Sequence, residues 1–195
     1  MSKHLEILTD AIINGDLVQL KKLLKCHRLP TSLPNPNNGK PLVFEAIEKN
    51  QYQITEYLLL NEIVPLQDLK DFDGNTCLMT AVNYQNAEVV NLILSRAKHL
   101  IPIANNKGKT PLLLSCELGL LEITKKLIEM GASINEKDLD GSTPLHYVSS
   151  WGHADLISLL ISCGADVTIS NLKGWTALDY AYSTSILAHL EGNYY

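Results

Sequence analysis

Five glycines, Gly39, Gly74, Gly108, Gly141 and Gly174, stand 35, 34, 33 and 33 residues apart, and the segment that each one opens can be laid over the others. A unit of that length is too small to bury its apolar face alone and has to stack on copies of itself. The chain is therefore read as an array, with function expected along a surface and not inside a pocket.

The clearest copy begins at Asp138, DLDGSTPLHYVSSWGHADLISLLISCGADVTI, and the copy before it at Asn105, NNKGKTPLLLSCELGLLEITKKLIEMGASIN. Asp140-Gly141 is a turn signal in which a residue of positive φ is easily accommodated. Thr143 is expected as N-cap and Pro144 as first helical residue, the pairing that satisfies or removes orphan amide donors. Leu145, Val148 and Ser149 continue a short helix that Gly152 ends. A second periodic run, Ala154, Ile157, Leu159, Leu160 and Ile161, closes at Gly164, the left-handed residue of a helix C-terminus. The inner-turn position of Gly119 and Gly152 is filled by Asn50 and Gln85 in the earlier units, where a left-handed backbone costs more.

The pattern G-x-T-P-L-H, a glycine turn, L-L and G-A-D resembles the ankyrin repeat. It is closest from Gly141 to Val167 and from Gly108 to Asn135, and is followed by Gly174 to Leu190 and Gly74 to Leu94. In Gly39 to Leu59 the Thr-Pro pair is displaced to Lys40-Pro41-Leu42. The resemblance implies an all-α solenoid of stacked helix-turn-helix units joined by β-hairpin-like loops, about six units counting both caps. One domain is expected over 1–195: an N-terminal cap and loop at 4–33, repeats at 34–69, 70–103, 104–136 and 137–169, and a C-terminal cap repeat at 170–195. Cys26 to Asn38, with three prolines, reads as an irregular loop.

Apolar residues are 46% and charged residues 19% of the chain, so it should fold throughout. The net charge of −5 is spread out with no long basic run, which disfavours nucleic acid as a partner. Glu6, Asp10 and Asn14 interrupt any signal-peptide core, and no apolar run approaches membrane-spanning length. Cys26, Cys77, Cys116 and Cys163 form no C-x-x-C pair and read as reduced intracellular thiols filling the core.

His146 invites a catalytic reading, but no serine, cysteine or carboxylate pattern assembles a triad around it. The resemblance gives that position a structural role in the local turn, and His153 is read in the same way. His4, His27, His99 and His189 are dispersed, each glycine is single and no Walker-type lysine follows, so neither metal, phosphate nor cofactor is implied. The chain is read as a non-enzyme.

In the ankyrin family, partners lie along the hairpin tips and the exposed face of the inner helices. On the tips these positions are Phe72, Lys107, Lys109, Leu139, Asp140, Leu172, Lys173 and Trp175; at the ends of the inner helices they are Tyr84, Leu118 and Trp151. Aromatic residues that a fold has no need to bury dominate binding hot spots. The expected partner is a helix or extended segment of another protein, bound by a chain that is monomeric on its own. Lys40, Lys107, Lys109 and Lys173 read first as a solvated rim, and alternatively as steering charges for an acidic segment.

The reading is of an adaptor in the cytoplasm, with the nucleus open to a chain of 21.6 kDa. Two rivals stand beside it. One is a regulatory subunit or assembly chaperone, since Gly174 to Tyr180 is similar to a short stretch of the ankyrin subunit of a fungal target-of-rapamycin complex. The other is an inhibitor that occludes a partner enzyme.

Overall fold

Thr-Pro and its variants start the inner helices of the computed structural model, which describes residues 2–27, 39–61, 66 and 68–181. Among these residues there are helices and turns but no strand. The chain divides into two compact units, Met1–Leu100 and Ile101–Tyr195.

In the first unit, α1 (Ser2–Ile13) and α2 (Leu17–His27) form the leading pair, followed by α3 (Leu42–Glu48) with α4 (Tyr52–Leu60) and α5 (Cys77–Asn83) with α6 (Ala87–Arg96). Helices pack within each pair, and α1 on α3, α3 on α5 and α4 on α6 join the pairs. Leu8, Ile12, Phe44, Ile47, Leu78 and Ile93 fill the space between them and are fully enclosed. A 3-10 turn, Lys98–Leu100, closes the unit.

The second unit holds α7 (Pro111–Glu117) with α8 (Leu121–Glu129), α9 (Pro144–Trp151) with α10 (Ala154–Ser162), and a 3-10 turn, Leu178–Tyr180. Thr143 takes the N-cap and Pro144 the first helical position, as expected, and Thr110 and Pro111 repeat the arrangement. Where Pro41 stands at the N-cap position of α3, no side chain caps the helix. The last inner helix is only a 3-10 turn in the described residues. There Thr176 N–H donates to Asp179 Oδ2 at 2.7 Å, placing a carboxylate where the preceding repeat uses His146.

The tip glycines do two jobs. Gly108 and Gly141 have φ of 74° and 75°, conformations that L side chains rarely adopt. A Cβ on Gly108 would also lie 2.7 Å from the Leu139 amide nitrogen of the next tip, and one on Gly141 would lie 3.0 Å from that of Leu172. Glycine recurs because each tip rests on the backbone of the one before. Leu139 N–H donates to the Lys107 carbonyl at 3.2 Å and Leu172 N–H to the Asp140 carbonyl at 2.9 Å, so the contact is also a hydrogen-bonded stitch. Gly174 has no neighbour at the equivalent place among the described residues.

Four of the five tips are built on an Asx residue that sequence reading passed over. Asp71, Asn105, Asp138 and Asn171 lie three residues before their glycines, and each accepts two tip amides on its side chain. The side chain thereby replaces a strand partner, and the tip holds its shape without a sheet.

Two cysteines depart from expectation. Cys77 and Cys116 are buried, and burial pushes the Cys116 thiol up to about 12, so it stays protonated. Cys26 and Cys163 are exposed instead, because they fall at the ends of α2 and α10, where the helix face has turned to solvent. Cys26 and His27, expected to open an irregular loop, instead complete α2, while the rest of that expected loop, 28–38, and the part of the C-terminal cap repeat beyond Ala181 lie outside the described residues.

Candidate functional site

The ends of α5, α7 and α9 are exposed, and tip lysines reach inner-helix ends in each unit, Lys40 at Glu48 and Lys109 at Glu117. Tyr84 is the C-cap of α5, Leu118 the C-cap of α7 and Trp151 the last residue of α9, each eight positions after its N-cap threonine. All three are exposed, Trp151 most of all at 64%. On the tips, Phe72, Leu139 and Leu172 are exposed as well. Leu139 and Leu172 share the second unit with Leu118, Trp151 and Trp175, whereas Phe72 and Tyr84 belong to the first.

These side chains are not equally available. A Cβ on Gly39 would come within 3.0 Å of the Phe72 ring, so that ring leans across the preceding tip. Trp175 packs edge-on against Tyr180 with centroids 5.3 Å apart, and Lys173 Nζ lies 5.7 Å from the Trp175 ring. Trp175 is thus partly committed to its own repeat, while Trp151 makes no ring contact among the described residues.

The lysines divide in the same way. Lys107 and Lys173 are exposed, but Lys109 Nζ is bound to Glu117 Oε2 at 2.7 Å and lies 4.5 Å from the centre of the Tyr147 ring. Lys40 is bound to Glu48 at the same distance, which holds its ammonium above the ordinary lysine value. Only Lys107 and Lys173 are therefore placed as rim charges, against exposed Asp140.

The floor between α7 and α9 is a polar lattice. Tyr147 hydroxyl donates to Asp138 Oδ2 at 2.6 Å, and burial followed by that carboxylate drives the phenol far above its ordinary pKa. Thr143 N–H donates to His146 Nδ1 at 3.1 Å, so Nε2 must carry the proton that it gives to the Trp175 carbonyl at 3.0 Å. Burial, the largest influence, lowers the His146 pKa. The imidazole is a neutral clamp between consecutive repeats, consistent with its expected structural role. Asn171 Nδ2 donates to Tyr180 hydroxyl at 2.9 Å, the counterpart of the Asp138–Tyr147 bond one repeat earlier.

Next to this lattice, Ser142, Ser150, Trp151, Tyr180, Glu117 and Asp140 line a depression of about 250 Å³. Sequence reading missed Tyr147, Tyr180, Asp138 and Asn171. The available signal was a tyrosine four residues after Thr143 and after Thr176, paired with an Asx residue three before the tip glycine. Among the described residues no group of His, Cys, Asp and Glu could hold a metal ion, and no helix is long and apolar enough to cross a membrane.

Residues 63–138 and 132–191 match the family model described as ankyrin repeats (3 copies). Over 136 residues, 69% of this chain, there is 33% identity to the glycerophosphocholine phosphodiesterase gde1 of Schizosaccharomyces pombe and 29% to the target of rapamycin complex 2 subunit AVO2 of Saccharomyces cerevisiae. The chain spans 12% of the first protein and 32% of the second. The fold is also that of the crystal structure of the ankyrin repeat domain of Bcl-3, a member of the IkappaB protein family, with a TM-score of 0.78 and 23% identity over 95% of this chain and 98% of that one. Domains of this fold generally mediate protein–protein interactions and are typically non-catalytic. Stitched tips, capped inner helices and paired outer helices, together with the family match, lead to one conclusion: the chain belongs to the ankyrin-repeat family.

Proposed function

We propose that the chain is a non-catalytic adaptor whose second unit captures a helix or extended segment of another protein along its tips and inner-helix ends. The observation that carries this reading is Trp151, 64% exposed on the same unit as exposed Leu118, Leu139 and Leu172. Large apolar groups held on well-capped helix ends cost little further ordering on binding, and aromatic side chains contribute most there.

The test compares Trp151→Ala with Trp175→Ala. Trp151→Ala is expected to abolish capture of the native partner and leave the melting temperature unchanged. Trp175→Ala is expected to weaken capture and also lower the melting temperature, because it removes the ring against Tyr180. Unchanged capture by Trp151→Ala, or unfolding by it, contradicts the proposal.

The likeness to a subunit of target of rapamycin complex 2 favours one more specific form, a regulatory or assembly subunit. Purification from native cells in a fixed stoichiometric complex supports that form. Isolation as a free chain that inhibits an added enzyme supports the occluding alternative.

A further inference from the structure

The inner face carries one ion-pair device twice. Lys40, directly after Gly39, is bound to Glu48 at the end of α3; Lys109, directly after Gly108, is bound to Glu117 at the end of α7, both at 2.7 Å. In the second case the ammonium also sits over the Tyr147 ring of the following repeat. One repeat later the same two positions are Ser142 and Ser150, and Tyr147 is replaced by Tyr180. Short hydroxyls stand where a lysine and a glutamate stood, and the depression of about 250 Å³ is the result.

Its walls still suit a cation. Tyr180 is held in place by the Asn171 bond at 2.9 Å and by edge-on contact with Trp175, while Trp151 forms a second aromatic wall. Glu117 and Asp140 supply carboxylates, and Asp140 makes no ion pair among the described residues. The neighbouring lysine, Lys173, lies over Trp175.

We propose that this depression receives an arginine side chain of the bound partner, which takes the place that Lys109 occupies one repeat earlier. The inference rests on the recognition reading above and gives the partner a required chemistry. A guanidinium is planar and weakly hydrated, gains from aromatic walls and can bond a carboxylate through two donors.

The test titrates the full chain with N-acetyl-arginine methylamide and with its neutral citrulline isostere, following the Trp151 indole and the Ser142 and Ser150 amides by NMR. The arginine compound should shift these signals saturably and the citrulline compound should not. Asp140→Asn should weaken binding about tenfold, the loss of one charge-assisted bond. The double variant Ser142→Lys/Ser150→Glu, which rebuilds the internal bridge, should abolish the response and melt no lower than the parent chain. Equal shifts with citrulline, or undiminished binding by Asp140→Asn or by the folded double variant, overturn the proposal. If the arginine arm fails while Trp151→Ala still abolishes partner capture, the subsite falls and the recognition reading stands.

Discussion

The two units solve the same inner turn with different residues. In the second, Gly119 and Gly152 take φ of 70° and 77°; in the first, Asn50 and Gln85 are held at 56° and 55°. The left-handed conformation is therefore imposed by the helix pair, and glycine only removes its cost. The units cover these turns alike, with the side chain that follows the next inner turn. In the second unit the His153 ring packs so closely that a Cβ on Gly119 would lie 2.6 Å from it. In the first, Gln51 Nε2 donates to the Ile13 carbonyl at 3.3 Å across Gly15, and Asn86 Nδ2 donates to Asn50 Oδ1. The residue that follows each inner turn thus closes on the turn before it, whether that turn holds a glycine, as at Gly15 and Gly119, or a strained asparagine, as at Asn50.

The largest effect that sharpens this contrast is expected at the tips of the second unit. Gly108→Ala adds a Cβ 2.7 Å from the Leu139 nitrogen at positive φ and should destabilise that unit by about 3 kcal/mol. Gly174→Ala, with no atom near its added Cβ, should cost only the backbone term of about 1 kcal/mol. Equal losses in urea unfolding would show that close approach of successive tips is not what selects glycine.

The next effect is in the first unit. Gln85→Gly should stabilise it by about 0.5–1 kcal/mol by relieving a left-handed non-glycine residue. Hydrogen exchange should find the first unit less protected than the second in the parent chain, with the gap reduced in the variant. Protection before Leu100 equal to or greater than that after it contradicts the strain account.

The pH effect is smaller and confined to the second unit. Burial lowers the His146 pKa; Lys137 acts in the same sense, and the Trp175 carbonyl, Asp138 and Asp179 oppose it. A base with a depressed folded pKa contributes stability that is complete above its unfolded value of about 6.5 and is lost as pH falls below it toward the folded value. The unfolding midpoint should accordingly drop with acidification through this window. An imidazole proton resonance of His146 titrating above pH 6.5 would contradict the neutral clamp.

Much of the architecture was legible because its signals are local. Thr143-Pro144 starts a helix, Gly164 ends one, and the spacing of Gly108, Gly141 and Gly174 sets the period. The surface positions follow from transferring offsets from one copy to the next, which makes Leu118 and Trp151 equivalent. Contacts between repeats were harder to see. Lys109 and Glu117 are eight residues apart, outside the spacing at which helix neighbours meet, and their bond uses the tip and the helix end together. Likewise, nothing local to Trp175 shows that Tyr180 and the His146 clamp hold it, so the sequence reading treated it as being as free as Trp151. Cys26 and Cys163 were misplaced for a related reason: apolar preference ranks residues for burial but does not locate the end of an outer helix.

The most direct measurement of the central claim is site-specific photo-crosslinking in native cells, with benzoylphenylalanine at position 151 and, as reference, at position 18, a still more open site on α2 of the first unit. The account predicts one discrete partner adduct from position 151, absent from position 18 and competed away by unlabelled chain but not by Trp151→Ala. Matching adducts from both positions, or none from 151 while the partner still co-purifies, would contradict it.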